Sequence, residues 1–141
     1  LLLTNDKNIY IVDIGARMGG NLIGSHIVPL STGIDYMGNI IKESLGEPIN
    51  LNRTIFDRII ATRILALTPG VIKEVRDMRD IRNAVGVSDL VLKANKNDTI
   101  NEYRSNIDGC GYIVVNGENA EVVKNRALEI KNEIDRRITR Y

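Results

Sequence analysis

The stretch that decides the fold is GYIVVNGENAEVVKNRALEIKNEIDRRI, which spans residues 111–138. Its apolar beginning extends back to Cys110 and predicts a short buried strand over residues 110–115, closed by Asn116 and Gly117. Asn119 is a favourable N-cap for a helix. One face of this helix carries an apolar residue every three or four positions: Val123, Ala127, Ile130, Ile134 and Ile138. A strand followed by such a helix predicts a sheet with the helix packed on it.

Strand signals and short turns alternate through the middle of the chain. Residues 59–67 predict a long buried strand, and Thr68-Pro69-Gly70 predicts a turn into a return strand over residues 71–75. A short helix over residues 78–84 and a strand over residues 87–93 follow. Because short turns join antiparallel neighbours, the sequence predicts an α+β fold with a mostly antiparallel sheet and flanking helices.

The first part of the chain predicts a hairpin followed by two helices. Residues 1–3 and 9–14 flank a run of turn formers, so the second strand of the hairpin should end at Asp13. A short helix is predicted over residues 21–30, and a second helix over residues 34–45 with its cap signal at residues 31–33. Pro48 and nearby asparagines then mark a soft boundary. We therefore divide the chain into residues 1–50 and residues 51–141.

The composition excludes several classes of protein. Apolar residues make up 43% of the chain, which is enough to bury a core and argues against disorder. Lys and Arg number 19 against 18 Asp and Glu, and only 4% of the residues are aromatic. Nucleic-acid-binding domains concentrate basic charge, so no nucleic-acid partner is expected.

Cys110 and His26 are each the only residue of their type. A single cysteine excludes a disulfide within the chain and a cysteine-based zinc site, and Cys110 is expected to act as a small hydrophobe. His26 is expected to pack or cap, with contact to a substrate as the alternative. No apolar run approaches the ~20 residues of a membrane span, and no signal peptide is visible. We therefore expect a cytoplasmic protein with no membrane partner.

The segment DIGARMGG, residues 13–20, combines the groups that bind a metal-bound phosphate. Asp13, Gly15 and Arg17 alternate, so on an extended backbone they point to one face. Asp13 supplies a hard oxygen ligand of the kind that Mg²⁺ prefers, and Arg17 supplies a forked cation for a phosphate. Gly19 and Gly20 leave backbone N–H groups open to an anion. The alternative is an exposed ion pair between Asp13 and Arg17 beside a simple turn.

A wider set of residues resembles the final active-site segment of the ATP-grasp ligases. It comprises YIVDIGARMGG at residues 10–20, STGIDY at residues 31–36 and LGE at residues 45–47. Residues 61–75 and GYIVVNG at residues 111–117 are similar to the hairpin and the last strand of the C-terminal lobe in that family, which includes glycinamide ribonucleotide synthetase, the carbamoyl-phosphate synthase large chain and L-amino-acid ligases. The resemblance implies that residues 1–50 end the ATP-grasp domain and that residues 51–141 form its C-terminal lobe.

The resemblance also implies an activity. ATP-grasp ligases join a carboxylic acid to an amine or similar nucleophile through an acyl-phosphate made from ATP. Asp13 would hold Mg²⁺ or Mn²⁺, Arg17 would contact the transferred phosphate or the acyl group, and Gly19 and Gly20 would bind the nucleotide phosphate. The implied partners are ATP and a small carboxylic-acid or amino-acid substrate, and a homodimer is compatible with the family.

The segment departs from the family pattern, a Glu-x-Asn-x-Arg strand, at two positions. Asp13 stands where Glu is usual, and Gly15 stands where Asn is usual, so Gly15 offers no side-chain ligand. The chain starts with Leu1, and residues 1–3 carry no carboxylate where the family has an earlier acidic ligand. We therefore expect a fragment of a longer protein that does not turn over ATP alone. A non-catalytic binding or oligomerisation module derived from the same lobe is the second hypothesis.

Overall fold

The computed structural model describes residues 1–15 and 17–141. The strands of these residues are β1 Leu2–Leu3, β2 Ile9–Tyr10, β3 Ile59–Ile64, β4 Gly70–Val75, β5 Val87–Leu92, β6 Thr99–Ile100, β7 Gly111–Gly117 and β8 Ile138–Arg140. The α-helices are α1 Val28–Thr32, α2 Tyr36–Ser44, α3 Arg79–Arg82 and α4 Ala120–Arg136. A π-helix, Ile23–Ile27, leads into α1, and a 3₁₀ helix, Asn106–Asp108, precedes β7. Across the described residues, no helix combines the length and hydrophobicity that crossing a lipid bilayer would need.

β7 is the central strand of a three-stranded sheet with β3 on one side and β5 on the other. Both neighbours run antiparallel to it, with Ile59 opposite Gly117 and Leu92 opposite Gly111. α4 packs on β3 and β7. The predicted α+β fold, with antiparallel strands and flanking helices, is confirmed.

The apolar stripe of α4 forms one wall of the hydrophobic core. The buried members that α4 contributes are Val123, Ala127, Ile130 and Ile134. Ile134 and Ile113 of β7 are both fully buried, at 0% exposure. Burying one such side chain stabilises the fold by about 1.5–3 kcal/mol. The helix and its cap were predicted correctly, since the Asn119 side chain accepts a hydrogen bond from the Val122 backbone N–H at 3.1 Å.

The last residue of the predicted stripe lies outside the helix. α4 ends at Arg136, and Ile138 is buried in β8 instead. Arg137 caps the helix and donates hydrogen bonds to both carboxylate oxygens of Asp80, one of them at 2.7 Å, so the chain turns there towards β4. These hydrogen bonds lower the pKa of Asp80 to about 2.

The hairpin predicted over residues 59–75 is wrong. β3 pairs with β7, whereas β4 pairs with β6 and β8 in a second sheet of order β6-β4-β8. Between β3 and β4, Leu65 and Leu67 are buried in the core, so the connection crosses from one sheet to the other. The backbone N–H of Thr68 donates to the Asp135 carboxylate at 3.1 Å, which fixes the crossing to the end of α4.

The first part of the chain has the predicted hairpin and two helices, with different limits. β1 and β2 are antiparallel, but β2 ends at Tyr10, not at Asp13. The first helical stretch runs on through Pro29, because a proline is tolerated in the first turn of a helix, and Gly33 ends it with φ 75°. The cap of α2 is not at residues 31–33. Asp35 caps it by accepting from the Gly38 N–H at 2.9 Å.

The segment after α2 folds back on the helices. Asn39 is buried, donates to the Asn50 carbonyl at 2.6 Å and accepts from the Asn50 N–H at 2.9 Å. The Thr54 N–H donates to the Thr32 carbonyl at 2.8 Å. The composition that marked a soft boundary therefore belongs to a segment hydrogen-bonded to α1 and α2, and the division at residue 50 stays a prediction.

Two glycines with positive φ separate backbone strain from steric collision. Gly46 has φ 72° with no described neighbour within 4 Å of an added Cβ, whereas Gly111 has φ 122° and an added Cβ would overlap the Val91 carbonyl oxygen. We expect Gly46→Ala to lower the free energy of unfolding by about 1–2 kcal/mol. Gly111→Ala should cost more than about 3 kcal/mol, because it adds a clash inside the β5–β7 pair. Urea denaturation of both variants measures this. Equal losses would contradict the described packing of β7.

Candidate functional site

The predicted site residues lie between β2 and the π-helix. We call residues 13–15 and 17–20 the glycine segment; Ala16 lies outside the described residues. Asp13, Arg17, Gly19 and Gly20 are all exposed. The segment has no regular strand or helix of its own, so its backbone groups remain available to a ligand.

Asp13 and Arg17 do not neutralise each other. Within the described part of the chain, neither side chain takes part in an ion pair. The exposed ion pair that the sequence left open is therefore not formed. A carboxylate and a guanidinium four residues apart, each without a charged partner among the described residues, can both act on an external ligand.

The glycines of the segment differ in what they permit. An added Cβ at Gly19 would come within 2.8 Å of Ile23 Cδ1, so this glycine allows close approach to the π-helix. At Gly20 no described atom lies within 4 Å of an added Cβ, and its φ is not left-handed. Neither packing nor backbone conformation requires a glycine there. Open space beside a bare backbone is what an incoming anion needs.

The backbone directly after Gly20 is strained. Asn21 has φ 52° and Leu22 has φ 67°, and the π-helix starts at Ile23. Asn adopts a left-handed conformation at low cost, but Leu does so rarely. Strained residues and short π-helices both concentrate at functional sites, so this turn supports a functional role for the glycine segment. The Asn after two glycines was a usable sequence signal for the turn, whereas nothing in the sequence marks Leu22.

A hydrogen bond from the second half of the chain reaches this turn. Asn106 Nδ2 donates to Asn21 Oδ1 at 2.8 Å, and the Tyr103 hydroxyl donates to Asn106 Oδ1 at 2.6 Å. Sequence reasoning missed both residues, because an exposed polar loop has no pattern that names its partner. The contact places the loop before β7 against the glycine segment.

His26 joins the π-helix to the main sheet. Its Nε2 lies 3.2 Å from Asp89 Oδ2 in β5, and its Nδ1 lies 2.8 Å from Ser25 Oγ. The ring also meets Tyr112 of β7 edge-on, with centroids 5.6 Å apart. The expected packing role of His26 is the one that the structure shows.

Burial governs the titration of two groups in β7 and just before it. It is the main cause that raises the pKa of Tyr112, and the neighbouring Asp89 carboxylate raises it further. Burial also raises the pKa of the Cys110 thiol, which stays neutral, in agreement with its expected role as a small hydrophobe.

The glycine segment supplies an incomplete set of metal ligands. No three His, Cys, Asp or Glu side chains of the described residues come together in a metal-binding arrangement. Mg²⁺ is commonly held by one or two carboxylates together with substrate phosphates and water. A lone exposed Asp13 fits the protein's part of such a site, and Gly15 adds no ligand.

Comparison with known proteins identifies the second half of the chain. Residues 63–139 match the family model "L-amino acid ligase C-terminal domain 2". The chain belongs to this family. Comparison with curated proteins gave no significant match. The match covers α4 and both three-stranded sheets, but it does not include the glycine segment.

Two solved structures have the fold of this ligase domain. Phosphoribosylglycinamide synthetase from Anaerococcus prevotii is 21% identical with a TM-score of 0.73, and the alignment covers 96% of this chain and 34% of that one. An L-amino acid ligase from Bacillus licheniformis is 20% identical with a TM-score of 0.70, covering 99% of this chain and 34% of that one. The chain thus spans about a third of the length of these enzymes. The predicted resemblance to the C-terminal part of ATP-grasp ligases is confirmed.

The contact between Asp89 and Tyr112 in this ligase domain can be tested by titration. Asp89→Asn removes the carboxylate that helps to keep the phenol neutral, so the pKa of Tyr112 should fall, yet stay above the ordinary ~10 because burial remains. A raised pKa of this kind stabilises the fold below pH ~10, and the stabilisation is lost as the pH rises through the folded-state pKa. Ultraviolet absorbance titration measures the shift, and Tyr112→Phe identifies which of the five tyrosines is observed. An unchanged titration in Asp89→Asn would contradict the contact.

Proposed function

We propose that the chain forms part of an ATP-dependent ligase that joins a carboxylic acid to an amine, or to a similar nucleophile, through an acyl-phosphate. The observation that carries the proposal is the glycine segment, where Asp13 and Arg17 stand unpaired among the described residues beside the open backbone of Gly20. Membership in the L-amino acid ligase C-terminal domain 2 family supports the reaction class. The same name favours an L-amino acid as the acid substrate.

The proposed reaction has two steps. A carboxylate oxygen attacks the γ-phosphorus of ATP, and the bond to the bridging oxygen breaks to release ADP. The nucleophile nitrogen then attacks the acyl carbon, loses a proton and expels inorganic phosphate. Negative charge on the phosphoryl oxygens must be balanced in the first step, and the Arg17 guanidinium can bind two of these oxygens at once. Backbone N–H groups at Gly19 and Gly20 would orient the same group.

Asp13 is the residue that would hold the divalent cation, Mg²⁺ or Mn²⁺. A bound cation of this kind binds phosphate oxygens and neutralises part of their charge. The carboxylate of Asp13 keeps its position after β2, so it can set where the cation sits relative to Arg17. Gly15 leaves one ligand place to water, which Mg²⁺ retains readily.

The chain alone is proposed not to turn over ATP. It spans about a third of the length of the two solved ligases that it resembles. Apolar side chains of its first residues are exposed: Leu1, Leu2, Leu3, Ile9, Tyr10, Ile11, Val12 and Ile14. An apolar hairpin of this kind favours packing against further polypeptide. We propose that residues 1–50 carry the site and that residues 51–141 support it.

Arg17 provides the main test of the proposed function. In the full-length polypeptide, Arg17→Ala should lower acid-dependent ADP release by about 100-fold or more, since it removes a preorganised charge from the phosphoryl group. The assay presents ATP with a panel of amino and carboxylic acids. Arg76→Ala is the matched control, because Arg76 is also exposed and lies just after β4 in the other sheet. Equal activity of wild type and Arg17→Ala would refute the role of Arg17 and favour a non-catalytic module.

Gly15 provides a gain-of-function test of the metal site. An added Cβ there would meet only Arg17 Cγ, at 4.0 Å, so Gly15→Asn should leave the melting temperature unchanged. The amide oxygen would add a ligand beside Asp13, and Mn²⁺ should bind severalfold more tightly in the presence of ATP. Isothermal titration calorimetry on the full-length polypeptide measures the affinity, with Gly46→Asn as the control. Equal affinities in the two variants would place the metal elsewhere.

A further inference from the structure

The loop between β6 and β7 reaches back to the glycine segment from 85 residues further along the chain. Its contact is the side chain of Asn106, whose Nδ2 donates to Asn21 Oδ1 at 2.8 Å. Among the described residues, this is the only side-chain hydrogen bond that reaches residues 17–24 from elsewhere in the chain. The loop therefore has a single directed contact with the turn that follows Gly20.

The amide of Asn106 is held in place from its own loop. The Tyr103 hydroxyl donates to Asn106 Oδ1 at 2.6 Å, which leaves Nδ2 to face Asn21. A capping box closes the short 3₁₀ helix, because the Asp108 carboxylate accepts from the Ser105 N–H at 2.8 Å. The backbone N–H groups bound to Asp108 lower the pKa of its carboxyl, so the capping box persists over the neutral pH range. Asn106 is thus a preorganised donor.

The residue that receives this hydrogen bond needs support. Asn21 and Leu22 both have positive φ, and such residues persist only where their surroundings fix them. Asn21 follows Gly20 directly, and the Gly20 carbonyl accepts the first hydrogen bond of the π-helix, from the Ile23 N–H at 3.2 Å. A rotation at Asn21 would therefore turn the Gly20 peptide groups away from their direction.

We propose that Asn106 is a positioning residue, which fixes Asn21 and thereby orients the backbone of Gly19 and Gly20 towards the phosphoryl group. This inference rests on the proposed function for its catalytic meaning. The orientation itself is a property of the chain that can be measured without turnover. His26 does not replace Asn106, since its contact with Asp89 fixes the π-helix four residues beyond Leu22.

The orientation is tested first by NMR of the 141-residue chain labelled with ¹⁵N-glycine, which gives a signal for each of the 12 glycines. Asn106→Ala should shift or broaden the signals of Gly19 and Gly20 and leave those of Gly111 and Gly117 in place. Asn101→Ala is the matched control, because Asn101 is an exposed asparagine of the same loop. Unchanged Gly19 and Gly20 signals in Asn106→Ala would overturn the proposal. If Asn106→Ala does not fold, Tyr103→Phe, which removes only the supporting hydroxyl, decides by the same criterion.

The catalytic meaning is tested in the full-length polypeptide with the same acid panel. Asn106→Ala should lower kcat/KM for the acid by about fivefold, the size expected for one ordinary hydrogen bond, without a change in melting temperature. In an Asn21→Gly background, where the hydrogen bond is already absent, Asn106→Ala should have no further effect. Additive losses would show that Asn106 does not act through Asn21 and would overturn the proposal.

The two proposals fail in different ways. A wild type that consumes no ATP with any acid would refute the proposed function, while the glycine signals still decide whether Asn106 orients the segment. An active wild type with equal kcat/KM in Asn106→Ala and Asn101→Ala would refute only the positioning role.

Discussion

Burial of one face of α4 against β7 and β3 is the constraint on which the rest of the fold depends. Ile134 and Ile113 meet in a core from which water is excluded, and this contact makes β7 the centre of its sheet. Once β7 is fixed, so is the loop that leads into it, including the 3₁₀ helix with Asn106. The position of a side chain that touches the glycine segment thus follows from packing at the opposite end of the sequence.

Local patterns predicted the elements that depend on local physics. The stripe from Val123 to Ile134 has helical spacing and forms a helix, and the strand predicted over residues 87–93 is β5 almost without change. The hairpin at residues 59–75 failed because strand pairing is not local. A strong turn signal at Pro69 shows where the chain bends, but it does not show which strand the chain meets next. Here burial of Leu65 and Leu67 carries the chain between two sheets.

The site shows the same division between chemistry and geometry. Asp13 and Arg17 could be chosen from the sequence because their charges and the nearby glycines suit a metal-bound phosphate, and this assignment remains a prediction. The strain at Leu22, the π-helix and the contact from Asn106 could not be found in this way. Each of them depends on residues far apart in sequence, and a single chain without its fold carries no signal for such partners.

The contacts of His26 and Asn21 also bear on how this lobe can be exchanged between enzymes. Composition suggests a cut near residue 50, yet both contacts cross that point, one to Asp89 and one to Asn106. A chimera joined there would keep every element of secondary structure and still lose the two bonds between its parts. Compatible exchange would require the four side chains to travel as a set, so the unit of inheritance is larger than the unit that composition marks.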